Sequence, residues 1–596
     1  MNADIIYFNG QFKGVGTFNK KLTAVAIKNK KFLKFGSDQE IKKLAHTDTL
    51  LIDLQKKVVI PGLNDSHMHL IRGGLTFNME LRWDGITSLG DALGMLKDQA
   101  LRTPPPQWVR VVGGWTEFQF KEKRMPSLEE INAVSPETPV FVLHLYDRAI
   151  LNRAALRAIG YDKNTKQMPG TKIQRDDEGN PTGLLIANPN AIILYSALAM
   201  GPKLNENDQV NSTLHFMREL NRLGITSVCD AGGGFQQYPE NYKVIEQLDK
   251  ENKLTVRIAY NLFTQHPGHE LEDFQAWTKT SQYQQGNDYY HHNGGGEMLV
   301  FSAADFEDFL QPRPDLPKME EDLEPVVRLL AQNGWPFRLH ATYDESIKRA
   351  LNVYEKINEE IPLNTLNWFF DHAETISDTS IERVKKLGGG IAIQNRMSFQ
   401  GEYFLNRYGK EQTLRTPPIN KLLAEGIPVG MGTDATRVSS YNPWLCLYWL
   451  TTGKSLGGLS LYDDNNILSR EKALELYTYG SAWFSKEQDK KGSFLEGQLA
   501  DFAVLSQDYF QVPDEEITTI YSLMTVVGGD IVHASDEFSS YNPALPPLSP
   551  DWSPVTFHGT YGGSKILVQQ SLLHCSCTEQ VTPSSIASLG CLCWAF

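Results

Sequence analysis

Short apolar runs recur eight times between Val58 and Asp434, separated by stretches long enough to carry helices, and this rhythm constrains the chain more than any other feature. The runs are Val58 to Asp65, Ile225 to Asp230, Thr255 to Phe263, Met298 to Ser302, Pro336 to His340, Trp368 to His372, Gly390 to Gln394 and Ile427 to Asp434. Strands that are parallel need a crossover to return the chain to the same end of the sheet, and a helix is the usual one. Eight such units predict an α/β fold, a closed (β/α)8 TIM barrel.

The flanks follow another pattern. Residues 4 to 60 alternate short β-rich runs with turns, and β-rich character returns from Gly492 to His533. A chain of 596 residues is too long for one compact core, so a small β-sandwich built from both termini is expected beside the barrel. We divide the chain accordingly: 1–60 and 491–540 form the sandwich, 61–77 and 223–490 the barrel, and 78–222 an insertion after the first strand. The insertion has its own apolar runs, Trp108 to Gly113 and Pro139 to Leu145, and is expected to cap the active site. Residues 541–596 read as a surface wrap followed by a Ser- and Cys-rich tail with Cys575, Cys577, Cys591 and Cys593.

Charge narrows the function. With 57 Lys+Arg against 71 Asp+Glu, a net charge of −14 and no basic block, neither nucleic acid nor anionic membrane is an expected partner. The opening Met1 to Gly10 lacks the charged start and apolar run of a signal peptide, and no apolar stretch of membrane-spanning length occurs. A soluble cytoplasmic protein acting on a small-molecule substrate is expected; a homo-oligomer stays open, since the sequence carries no legible trace of it. Cys229 and Cys446, the two cysteines of the body, make no disulfide framework.

The chemistry-bearing residues sit at the strand ends. In His67-Met68-His69 the alternation of an extended segment points both imidazoles to one side, which makes half of a zinc site. His340, His372 and Asp434 end the fifth, sixth and eighth runs. All five groups therefore lie on the edge where TIM barrels carry their active sites, and they are expected to converge on one cation. Trp115, with Phe118 and Phe120, either lines a substrate pocket under the insertion or packs within it. His291-His292-Asn293-Gly294-Gly295-Gly296 reads as a polar turn, a lid or a plain connection.

The segment Pro61-Gly62-Leu63-Asn64-Asp65-Ser66-His67-Met68-His69, with the later strand ends and the stretch Gly497 to Leu505, resembles the amidohydrolase superfamily. Within it, the similarity is to amidohydrolase family 3, the branch that includes N-substituted formamide deformylases. The resemblance implies a metal-dependent hydrolase that cleaves a non-peptide C–N bond of an amide, formamide or cyclic amide. It makes His67, His69 and His340 ligands, His372 a ligand of a second ion or a prop for the carbonyl oxygen, and Asp434 both ligand and base. The metal implied is divalent, zinc before iron, manganese or nickel.

Two departures bear on this. Relatives often carry a bridging lysine on strand four, yet none occurs between Gly294 and Phe309; the nearest positional match is Leu299, with Glu297, Asp305 or Glu307 as substitutes. One ion is therefore preferred over two. In the insertion Arg148 stands where relatives show a histidine, which points either to an anionic group on the substrate or to an ordinary structural arginine. Deamination of a heterocycle is the nearest rival, disfavoured because Tyr343 occupies the position of the deaminases' glutamate. A non-catalytic metal-binding protein on the same scaffold is the other alternative.

Overall fold

The computed structural model describes residues 2–17, 21–167, 171–187, 191–234, 236–305, 309, 313 and 315–563. Eight parallel strands form its centre: Leu63–Met68, Ile225–Asp230, Arg257–Leu262, Tyr290–Gly295, Arg338–Ala341, Phe369–His372, Gly390–Gln394 and Val429–Gly432. They lie in two four-stranded parallel sheets, the first to fourth in one and the fifth to eighth in the other. Backbone bonds join the sheets at both edges. Gly295 N–H reaches Pro336 O at 3.0 Å on one side, while Asp434 N–H reaches His67 O at 2.8 Å and His69 N–H reaches Ala435 O at 2.9 Å on the other.

All eight strands are buried along their length, as parallel strands covered by helices must be. The covering helices show why. Helix Asp344–Asn358 buries Ile347, Ala350, Leu351 and Tyr354, a helical stripe on one face. Helix Asp378–Leu387 starts where the Ser377 hydroxyl accepts from Ser380 N–H and stops at Gly388, which takes the left-handed conformation.

Two of the expected strands lie elsewhere. The run from Val58 is interrupted at Pro61-Gly62: Val58–Pro61 pairs antiparallel with the strand Phe502–Leu505, and the first parallel strand begins only at Leu63. The fourth strand is Tyr290–Gly295 rather than Met298 to Ser302. Its polar, glycine-rich residues are interior for a physical reason. A side chain at Gly294 would meet Pro336 O at 2.0 Å, and one at Gly296 would meet Arg338 O at 2.1 Å. The glycines thus allow the fifth strand to approach closely. His292 packs edge-on against Trp335 at 4.2 Å, and Asn293 donates to Phe484 O at 3.0 Å.

Strands from the two ends of the chain form two further sheets, of four and five strands, with a shared apolar core that includes Tyr7, Val25, Phe32, Phe502 and Val526. The 78–222 segment builds a six-stranded sheet. In the segment after 541, the carbonyls of Pro547, Ser549 and Trp552 accept from Asn211, Asn78 and Gln99, so it lies against the 78–222 segment and helix Glu206–Arg222. The cysteines beyond 564 lie outside the described residues. Among the described residues no helix is long and apolar enough to cross a membrane.

One ion pair ties the terminal sheets to the parallel strands. Arg257, on the third strand, grips Asp501 through two bonds, at 2.7 Å and 2.9 Å, and Gly528 N–H adds a third to the same carboxylate at 2.7 Å. Both side chains are buried. Removing one partner strands the other charge away from water, so Asp501→Ala is expected to lower stability by about 3–5 kcal/mol. The apolar pair Arg257→Met with Asp501→Leu should regain much of that. Chemical unfolding of the purified chain reads both, and a loss below about 1 kcal/mol for Asp501→Ala would mean that the pair does not hold the sheets together.

Candidate metal centre

The first and eighth strands are clamped by one carboxylate. Asp65 accepts from His67 N–H at 3.0 Å, from the Thr433 hydroxyl at 2.8 Å and from the Tyr477 hydroxyl at 2.6 Å. Burial pushes its carboxyl up to about 6, against the pull of Tyr477 and Thr433. Gly432 makes the clamp geometrically feasible, since a Cβ there would sit 2.6 Å from His67 N. The clamp sets His67 and Asp434 side by side at the strand ends. His372 and Asp434 both adopt positive φ, 76° and 57°, a sparsely populated region for residues with side chains that is held only where the surroundings enforce it.

Around this point the structure gathers all five groups read from the strand ends. His69 Nε2 lies 3.1 Å from Asp434 Oδ1, and His67 Nε2 lies 3.4 Å from the same oxygen. His340 Nδ1 lies 2.8 Å from His372 Nε2. A sixth group joins them. Glu297, two residues past the fourth strand, places Oε2 at 3.2 Å from His340 Nδ1, 3.4 Å from His372 Nε2 and 3.6 Å from His67 Nε2, and Oε1 at 3.6 Å from His69 Nε2. The preference for a single ion rested on a fourth strand without a bridging side chain. With that strand ending at Gly295 instead of beyond Leu299, Glu297 reaches the imidazoles at the strand ends, and Leu299 is a core residue. Glu307 lies outside the described residues.

The outer ring nitrogens test whether these residues suit a cation. Metal-binding imidazoles usually give their second nitrogen to a carboxylate or carbonyl. Here His67 Nδ1 faces Asp371 Oδ1 at 2.8 Å, His69 Nδ1 faces Gly232 O at 2.5 Å, and His340 Nε2 faces Asp305 Oδ1 at 3.5 Å. His67 Nε2 points inward, buried and with no hydrogen-bond partner. Two sets of donor atoms, His67 with His69 and Asp434, and His67 with Glu297 and His372, each lie within 4.8 Å of one another. The residues fit a divalent cation bound through nitrogen and oxygen.

The field of the site follows from its contents. Burial opposes the charges on Glu297 and Asp434, but the surrounding imidazoles outweigh it and hold both carboxyls well below their usual range. Burial likewise opposes a charge on His340, yet Glu297 and Asp305 draw its pKa up to about 9. Arg396, at the start of the helix after the seventh strand, donates to Asp434 Oδ2 at 2.6 Å and orients it. Arg338 binds Asp371 through Nε at 2.7 Å and so fixes the carboxylate behind His67.

Sequence reasoning gave Glu297 and Asp305 only as substitutes for the absent lysine and missed Asp371, Arg338 and Arg396. Asp371-His372 and Asn395-Arg396 at strand ends were the available signals. Trp115 and Arg148, each read as a substrate contact or as a structural side chain, have partners within the 78–222 segment. Trp115 is fully buried, packs against Trp83 and Phe120, and donates to Leu143 O at 3.0 Å. Arg148 pairs with Asp147, whose carboxylate also meets His144 Nδ1 at 2.6 Å, so its charge is matched within the segment. His144 Nε2 meets Glu117 at 2.9 Å, and Tyr403 donates to that same glutamate from the helix after the seventh strand.

Known proteins bear on this arrangement. The chain is 26% identical to amidohydrolase YtcJ of Bacillus subtilis over 84% of its own length and 93% of that protein's. It is 23% identical to the N-substituted formamide deformylase of Arthrobacter pascens, covering 88% of this chain and 97% of the relative. In fold it is similar to a metal-dependent hydrolase from Pyrococcus horikoshii, with a TM-score of 0.62 and 21% identity, over 86% of this chain and 99% of the other. The sequence profile of the amidohydrolase family matches residues 50–533, and the chain therefore belongs to the amidohydrolase family.

Proposed function

We propose that this protein is a metal-dependent hydrolase that cleaves a non-peptide C–N bond in a small molecule, at a site formed by His67, His69, Glu297, His340, His372 and Asp434. In this reading the eight parallel strands are a closed (β/α)8 barrel, the terminal sheets are a small sandwich, and residues 78–222 cover the site. The observation that carries it is the convergence of four imidazoles and two carboxylates on one buried point, three of the imidazoles having the outer nitrogen held by an oxygen. Family membership supports the reaction class. The formamide deformylase among the relatives supports formamides and simple amides as the first substrates to try.

The donor set, rich in imidazole, suits zinc. We infer that the site would hold two ions, for which His67, His69, His340, His372, Asp434 and Glu297 would supply the ligands. Bound there, the metal lowers the pKa of water toward neutrality and polarises the carbonyl to be attacked. The chain's own part is proton handling. Asp434 takes the proton from the attacking water and delivers it to the departing nitrogen, which must be protonated to leave. Arg396 keeps the outer oxygen of Asp434 occupied, so that the inner oxygen faces the centre.

Two outcomes are expected. Elemental analysis of the purified chain should find two metal ions per chain, and Glu297→Gln should reduce this to one or none; wild-type protein that retains a single ion would refute the two-ion reading. On a panel of N-formyl, N-acyl and cyclic amides the wild type should turn over at least one substrate. For that substrate Asp434→Asn should cut kcat by about a hundredfold to ten-thousandfold, with a much smaller change in KM. A metal-loaded protein inert toward every C–N substrate would overturn the proposal.

A further inference from the structure

A cavity of about 290 Å3 lies between the 78–222 segment and the parallel strands, and its lining is unlike the rest of the molecule. Arg72, Arg110, Lys203 and Arg437 line it, with Glu80 as the one carboxylate of the lining, in a chain whose net charge is −14. Glu80 is already engaged, accepting from the Thr76 hydroxyl at 2.7 Å and pairing with Arg82.

Arg72 and Arg437 are not matched in this way. Neither forms an ion pair among the described residues, and Arg72 Nε and Arg437 Nη1 are buried without a hydrogen-bond partner. Arg110 spends one nitrogen on the Pro202 carbonyl and leaves its Nε equally unpartnered. Asp230 lies within the field of Arg72, but its oxygens accept from the amides of Ile71 at 2.8 Å and Gly232 at 2.9 Å. The Arg437 guanidinium lies 4.6 Å over the ring of Tyr195, which offers a π-face and no negative charge. Burial and the nearby charge of Arg72 push Arg437 down to about 10. Both side chains are half-buried, and cations taken partly out of water without a carboxylate are costly unless an anion joins them.

The position of the pair ties the cavity to the chemistry. Arg72 stands three residues after His69 and Arg437 three after Asp434. His69 N–H bonds to Ala435 O at 2.9 Å, which holds together the two short segments that carry Arg72 and Arg437. The cationic end of the cavity thus adjoins the metal cluster, whereas Arg148, the arginine singled out from sequence, is neutralised by Asp147.

We propose that this cavity is the anion subsite of the enzyme, in which Arg72 and Arg437 clasp the carboxylate of a small amide whose C–N bond lies at the metal cluster. The assignment rests on the hydrolase reading and narrows it to N-acyl or N-formyl compounds that carry a carboxylate. A guanidinium pair suits this group because each fork can give two parallel bonds to its oxygens.

The test uses N-formyl-β-alanine and N-formyl-γ-aminobutyrate, each against its own carboxamide, with the metal-loaded full chain. Calorimetric binding is read first, then turnover. The carboxylates should bind about tenfold to a hundredfold more tightly than the carboxamides, and Arg437→Gln and Arg72→Gln should bring that ratio toward unity, with Arg437→Lys restoring part of it. Metal content and the thermal midpoint, measured on every variant, separate a lost subsite from a lost fold. Equal binding of acid and amide by the wild type overturns the subsite with no variant needed, as does a ratio that survives both substitutions. Hydrolysis without a carboxylate preference defeats the subsite alone; a preference in binding without any hydrolysis supports the subsite and defeats the hydrolase reading.

Discussion

The centre of this protein depends on the approach of its first and eighth strands, held by the buried carboxylate of Asp65. That side chain takes bonds from His67, Thr433 and Tyr477, and Gly432 leaves room for it. Residues far apart in the chain, His67 and Asp434 above all, meet because of this contact. The positive φ angles of His372 and Asp434 are of the same kind: local strain sustained by a packed surround and placed where chemistry is expected. The carboxylates of Asp371 and Asp305 behind His67 and His340, and the Gly232 carbonyl behind His69, then fix which nitrogen of those three rings faces inward.

Charge is distributed with the same economy. Several buried arginines have carboxylate partners: Arg257 with Asp501, Arg338 with Asp371 and Arg396 with Asp434. Against that background Arg72 and Arg437, which form no ion pair among the described residues, face a cavity. The buried network of Glu117, His144, Asp147 and Arg148, which reaches the parallel unit through Tyr403, has a different role, anchoring the 78–222 segment to the helix that follows the seventh strand.

Much of the fold was legible because apolar runs of strand length spaced by helix-length stretches have few ways to bury themselves. The runs at Ile225, Thr255, Pro336, Trp368, Gly390 and Ile427 all contain strands of the parallel unit. The fourth strand was misplaced because His291-His292-Asn293-Gly294-Gly295 has the composition of a turn. His292 packs on Trp335 and meets Gln282 O, and Asn293 donates to Phe484 O; such contacts with other parts of the chain leave no local signature. That single shift left Glu297 as one substitute among three rather than a member of the cluster.

The sequence by itself determined the residue types that bind metal and the strand ends that carry them, since alternation and position along a strand are local properties. It also determined the family, through the Pro61 to His69 segment and the later strand ends. Only the tertiary structure decided which groups share one point, which arginines are neutralised and which are left open, and where the fourth strand ends. These are distances between segments hundreds of residues apart, set by packing and by the partners that packing supplies.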